Sequence, residues 1–227
     1  MNATTLDLPY GAEDVLRPAE AAALRELHGR QRLRCHSCGL WVAPAEESTV
    51  ALRADGDVAV AEFAHRWCAP PRTDLAALAV ASSADPRGIT YVEALHPSAG
   101  AVLIWERSLD LRARGAESGE IQPYLEAHRA AGFHVMLHDE PVRQLDAWSL
   151  EPGGDDLLLT NDGAIAERFP DALARPAAGW LEVARRSGLC LLLVGSGLGL
   201  HAPATTRIQA AMRSGRAVMG LAEFRED

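Results

Sequence analysis

The first periodic stretch runs from Pro18 to His28, where alanines, leucines and charged residues form a helix-favouring sequence that Gly29 would close. Asp14 and Pro18 supply its start signals, because an acidic residue near the first turn and proline within it both suit the unpaired amides there. Residues 1–11 show no period and read as irregular. Between Thr49 and Phe63 the period changes to two, with apolar and polar positions alternating on either side of Asp55-Gly56. Asp-Gly accepts the positive backbone angles of a tight turn, so this stretch predicts a β-hairpin. Pro70-Pro71 interrupts regular structure and places a boundary between an N-terminal module, residues 1–72, and a second domain, residues 73–227.

The second domain carries two similar segments, near residues 89–140 and 145–196. Leu95, Pro97, Leu125, Glu126, Arg129, Gly132 and Leu137 have identical counterparts at Leu150, Pro152, Leu181, Glu182, Arg185, Gly188 and Leu193. Each segment reads as strand, Pro/Gly turn, strand, connection, helix, glycine and strand, and residues 208–224 repeat the last three elements. The pattern predicts an α/β domain with a mixed sheet and two duplicated units, preceded by a small module of a different kind.

Composition narrows the chemistry. Apolar residues make up 48% of the chain and charged residues 23%, and no apolar run reaches the ~18 residues of a membrane span. No basic-then-apolar leader opens the sequence, so a soluble, non-exported, cytoplasmic protein with no membrane partner is expected. All 22 basic residues are arginine, which removes phosphate-loop, Schiff-base and kinase-type lysine chemistry. The formal charge of -9 argues against nucleic acid or anionic membrane binding by the whole surface. That acidity lies mainly in residues 73–227, with 14 arginines against 21 acids, whereas residues 1–72 hold 8 against 10. Four cysteines suit a reducing compartment rather than a disulfide framework, and Cys190 sits in an apolar run as a small core residue.

Three of those cysteines carry the clearest signal. Cys35 and Cys38 form a CxxC pair, and His65 and Cys68 form an HxxC pair beyond the predicted hairpin. Thiolate and imidazole are preferred zinc ligands, and two close pairs brought together by a hairpin can complete one tetrahedral ion. Four protein ligands leave no open position, so such a zinc would be structural. His36 is a spare imidazole and is read as exposed, while Trp41 and Trp67 are expected to pack over the module. Residues 35–68 resemble treble-clef zinc fingers, including the CxxC-to-HxxC order of LIM half-sites and of the nick-sensing fingers of poly(ADP-ribose) polymerases. The resemblance implies a knuckle at the first pair, the hairpin, and the first turn of a helix from His65 to Cys68.

Other constellations are weaker. Arg25, Arg30, Arg32 and Arg34 precede Cys35, and nucleic acid contact, if made, is expected there. Otherwise they are a solvated helix end and linker whose arginines pair with the acidic C-terminal domain. On a strand His134, His138 and Glu140 would share a face, with Asp139 beside them, offering ligands for a second metal or groups for acid–base work. The alternative is a strand with satisfied histidines. The glycines from Gly195 to Gly199 are similar over six residues to the glycine box of histidine-kinase-type ATPases. They are read as a strand-to-helix loop, with Pro203 opening the last helix and no nucleotide cofactor. No complete catalytic constellation is legible, so the expected function is a zinc-stabilised binding or regulatory protein acting through protein contacts. The rivals are a metal-dependent hydrolase-like enzyme using His134, His138, Asp139 and Glu140, and a nucleic-acid-binding protein.

Overall fold

The structure of the chain, a computed structural model, describes residues 6–44, 46–55, 58–73, 88–117, 119–135, 141–200 and 205–226. It divides into two compact units, one made of residues 1–88 and 107–127, the other of residues 89–106 and 128–227. Both draw on two chain segments, and residues 107–127 group with the N-terminal segment.

The first unit contains the strands β1 (Leu6–Asp7), β2 (Leu33–Arg34), β3 (Trp41–Val42), β4 (Ser48–Asp55), β5 (Val58–His65) and β6 (Arg72–Thr73). The chain then forms β7 (Ile89–His96) and β8 (Gly100–Arg107) before returning as β9 (Asp110–Ala116) and β10 (Gly119–Ile121). The first sheet runs β1-β4-β5-β9-β2-β3, with β6 beside β4 and β10 beside β9. The predicted hairpin is its centre, an antiparallel ladder from Ser48↔His65 to Asp55↔Val58. Gly56 and Asp57, which join its strands, lie outside the described residues. Alternate positions of the ladder, Val50 and Leu52 with Ala59, Ala61 and Phe63, share one core with Leu24 and Leu27 of helix α1 (Pro18–Arg30).

Helix α1 begins at Pro18 as its proline predicts, but it passes through Gly29 and ends at Arg30. The Gln31 amide closes the last turn on Leu27 O at 3.0 Å, so glycine is not needed as a cap. Near the start, Glu20 accepts the Arg17 amide at 2.8 Å and forms a buried ion pair with Arg107. Arg107, which belongs to the same unit, also donates to Val15 O at 3.0 Å and so fixes the entrance of α1.

The second unit adds β11 (Gln144–Gly153), β12 (Asp156–Asn161), β13 (Ala164–Phe169), β14 (Leu189–Gly195) and β15 (Ala217–Phe224). Its sheet runs β13-β12-β11-β15-β14-β8-β7 and mixes parallel pairs, such as β8 with β14, with antiparallel ones. Helix α2 (Pro123–Ala130) spans the division, and α3 (Trp180–Ser187) and α4 (Thr205–Arg213) belong to this unit. Val102, Ile104, Leu191, Leu193 and Met219 form one core with Ala211 of α4. A separate aromatic cluster joins Trp105, His128, Phe133, Trp148 and Phe169 through edge and stacked contacts. Helix α3 ends as its sequence predicts: Gly188 takes the left-handed conformation at φ 65° and its amide closes on Ala184 O at 2.9 Å.

Among the described residues the fold is therefore mixed α/β, with two sheets and four α-helices. In the two similar sequence segments, β7, β8, α2 and Gly132 follow the same order as β11, β12, α3 and Gly188. Their pairing diverges, because β13 stays beside β12 while β9, the strand after β8, joins the first sheet. Beyond Gly132, an isolated bridge links His134 to Met219 among the described residues.

Candidate metal centre

Cys35 and Cys38 stand on the reversal between β2 and β3. Leu33↔Val42 and Arg34↔Trp41 pair those short strands, the Cys35 amide donates to Leu40 O at 2.8 Å, and the Gly39 amide donates to Cys35 O at 2.9 Å. These bonds form the predicted knuckle. It is seated on β9 by Leu33↔Ala116, next to Gly115. Gly115 has φ 95°, and a Cβ there would lie 3.0 Å from Arg34 O, so glycine permits this close approach.

His65 is the last residue of β5, and Cys68 follows in a hydrogen-bonded turn whose amide donates to His65 O at 2.9 Å. The expected first turn of a helix at His65–Cys68 is a correction: it is this isolated turn, followed by Pro70-Pro71 and the short strand β6. Proline at both positions removes the amides that a continuing helix would need. The His36 amide donates to Phe63 O at 2.9 Å, tying the knuckle directly to β5.

These elements bring Cys35, Cys38, His65 and Cys68 together, with one ligand atom from each lying within 4.8 Å of every other. His65 Nδ1 is 3.5 Å from Cys38 Sγ and 3.6 Å from Cys68 Sγ. Its Nε2 faces Trp41 O at 3.3 Å and lies 3.9 Å from a Glu46 carboxylate oxygen. A proton on Nε2 donates to Trp41 O and leaves the Nδ1 lone pair pointing at the sulfurs, the orientation that a ligating imidazole needs.

The thiols are electrostatically unequal. Burial opposes ionisation of Cys35, but the amides of Cys38, His65 and Ser37 and the Cys38 thiol outweigh it, lowering the pKa to about 6. Burial and the neighbouring Cys38 and Cys35 sulfurs push Cys68 up to about 11. One thiolate is thus favoured by the backbone while a further one beside it is opposed by like charge, a conflict that a cation among the sulfurs removes. The set could hold one metal ion.

The remaining candidates separate. His36 is exposed, with Nδ1 3.9 Å from Glu62. Arg30 pairs with Glu26 of its own helix at 2.5 Å, Arg25 and Arg32 are exposed, and Arg34 lies over the Trp41 ring at 5.3 Å. His134 is half-buried and exchanges two backbone bonds with Met219, at 3.0 and 2.8 Å, whereas His138, Asp139 and Glu140 lie outside the described residues. Cys190 is fully buried, and burial pushes its thiol up, out of reach of ionisation.

The glycine loop after β14 holds an arrangement that no local sequence signal announces. The buried carboxylate of Glu106 accepts the amides of Leu198, Gly199 and Leu200 at 2.5, 3.2 and 2.8 Å. Amides of the kind that grip phosphates elsewhere are here directed at the protein's own anion. No described helix is long and apolar enough to cross a membrane. Compared with known protein families, with curated proteins and with solved structures, the chain matches none.

Proposed function

We propose that the chain is a zinc-stabilised binding or regulatory protein of a reducing, cytoplasmic compartment that acts through contacts with other proteins. The observation that carries this reading is the convergence of three sulfurs and one imidazole nitrogen within 4.8 Å of one another. Zinc–sulfur bonds of about 2.3 Å and a zinc–nitrogen bond of about 2.0–2.1 Å put tetrahedral ligand atoms roughly 3.5–3.8 Å apart. The two His65–sulfur distances, 3.5 and 3.6 Å, fall at the lower end of that interval. Cys35, Cys38, His65 and Cys68 would fill all four positions, so the ion's contribution is folding free energy rather than an activated water. Knuckle, hairpin and ligand turn follow one another in treble-clef order, which supports a finger-like module whose final helical turn is replaced by the turn at Cys68.

Metal analysis of protein purified without added zinc tests the reading. About one equivalent of zinc is expected, and Cys38→Ser should lose it together with the ordered state of residues 33–68. Substoichiometric metal that dialyses away with no change in the circular dichroism of the chain would defeat the proposal.

A further inference from the structure

Three side chains around the Cys/His cluster are exposed although their chemistry favours burial: Leu40 at 67%, Trp41 at 43% and Trp67 at 73%. All three residues are tied to the centre, Leu40 and Trp41 through their backbone and Trp67 through its ring. Leu40 O accepts the Cys35 amide, Trp41 O faces His65 Nε2, and the Trp67 ring stacks on the His65 imidazole with centroids 4.9 Å apart and planes 16° from parallel. Isolated exposed apolar residues are ordinary, but two tryptophans and a leucine fixed around one rigid centre make a patch of the kind that partners cover.

The charge beside the patch has a definite sign. Arg30, Arg53 and Arg66 are neutralised by Glu26, Glu62 and Glu47. Arg32 and Arg34, which lead through β2 into the knuckle, have no carboxylate partner among the described residues, and Arg34 rests on Trp41. In a chain of net charge -9, the knuckle's approach therefore offers two guanidinium groups with no carboxylate partner among the described residues next to its apolar surface.

We infer that this patch docks a short acidic segment of a partner protein, with an apolar anchor of that segment covering Leu40 and Trp67 and its carboxylates pairing with Arg32 and Arg34. The inference rests on the zinc-stabilised reading, since His65 and the knuckle hold the patch. Tryptophan and arginine are the side chains on which protein interfaces most often depend. A single-stranded nucleic acid fits less well. It needs free aromatic faces and a track of cations, whereas His65 covers one face of Trp67, Arg34 covers Trp41 and Leu40 has no π face.

The zinc-loaded full chain is to be panned against a library of short random peptides. Binding of the selected sequences is then measured by fluorescence anisotropy beside a labelled oligo(dT). Selected peptides are expected to be net acidic with a Leu, Phe or Trp anchor. They should bind about tenfold more weakly to Leu40→Ser and to the double variant Arg32→Gln/Arg34→Gln, with zinc content unchanged in both. Selection with no acidic bias, indifference to both variants, or tighter binding of oligo(dT) would overturn the inference. A chain that holds zinc but selects no such peptide fails this inference alone; a chain that selects them while holding no zinc fails the metal reading.

Discussion

Glu93 sits half-buried on β7 with one carboxylate oxygen accepting the Ala177 amide at 2.6 Å and the other buried without a hydrogen-bond partner among the described residues. Burial raises its pKa above the ordinary carboxylate value, and the Ala177 bond only partly opposes the shift. The folded state therefore keeps this proton longer than the unfolded chain does. Below the ordinary carboxylate pKa both states are protonated and Glu93 costs nothing. As pH rises through the window up to the raised folded value, the unfolded chain ionises first and stability is lost. Glu93→Gln removes the charge, so its urea midpoint should exceed that of the parent at pH 7 and meet it near pH 4. Equal midpoints at both pH values would mean that the carboxylate is solvated in the folded state. At this scale the clustering of Cys35, Cys38, His65 and Cys68 was legible because each pair lies within one turn and its residue types favour a shared metal. The partners of Glu20 and Glu106 were not, since Arg107 and the loop at Leu198–Leu200 lie far along the chain and no local pattern announces an acid turned inward.

Elements were legible where a local stop signal exists. The cap at Gly188 and the period-two stretch through β4 and β5 needed no distant partner. Gly29 misled because glycine permits a helix end without requiring one, and two prolines cut the ligand segment at Cys68 to a single turn. The loop after β14 shows how one distant residue fixes an element. Gly195 pairs with Glu106 across β14 and β8, so the strand register itself delivers that carboxylate to the three amides that follow. Hydrogen bonds to a charged acceptor contribute about 1.5–3 kcal/mol, and an amide side chain in its place must turn an NH2 group toward at least one backbone donor. Glu106→Gln is expected to destabilise the protein by roughly 2 kcal/mol and to speed amide exchange at residues 198–200, as hydrogen exchange and denaturant titration would measure. Unchanged exchange there would show that the loop is held by the packing of Leu198 instead.

At the scale of the whole molecule the sequence is least transparent, because the division into units is made by pairing across long separations. β5 chooses β9 as its parallel neighbour after the chain has already laid down β7 and β8 in the other sheet, and no break in composition marks that return. The consequence is physical. All four candidate metal ligands fall in the unit of residues 1–88 and 107–127, and the two sheets share no strand among the described residues. Metal-binding free energy is folding free energy only for structure coupled to the ligands. Cys35 follows β2, which pairs with β9, and His65 ends β5, which pairs with β4 and β9, so stripping the ion should loosen those strands together. Protection in β14 and β15, whose ladder runs from Leu189↔Glu223 to Gly195↔Ala217, should persist. Hydrogen exchange read by mass spectrometry before and after chelation measures this directly. The expected pattern is faster exchange in residues 33–42, 58–68 and 110–116 against an unchanged rate in 189–195 and 217–224. Equal loss in both sets would show instead that the two units unfold as one cooperative block and that the ion stabilises the entire chain.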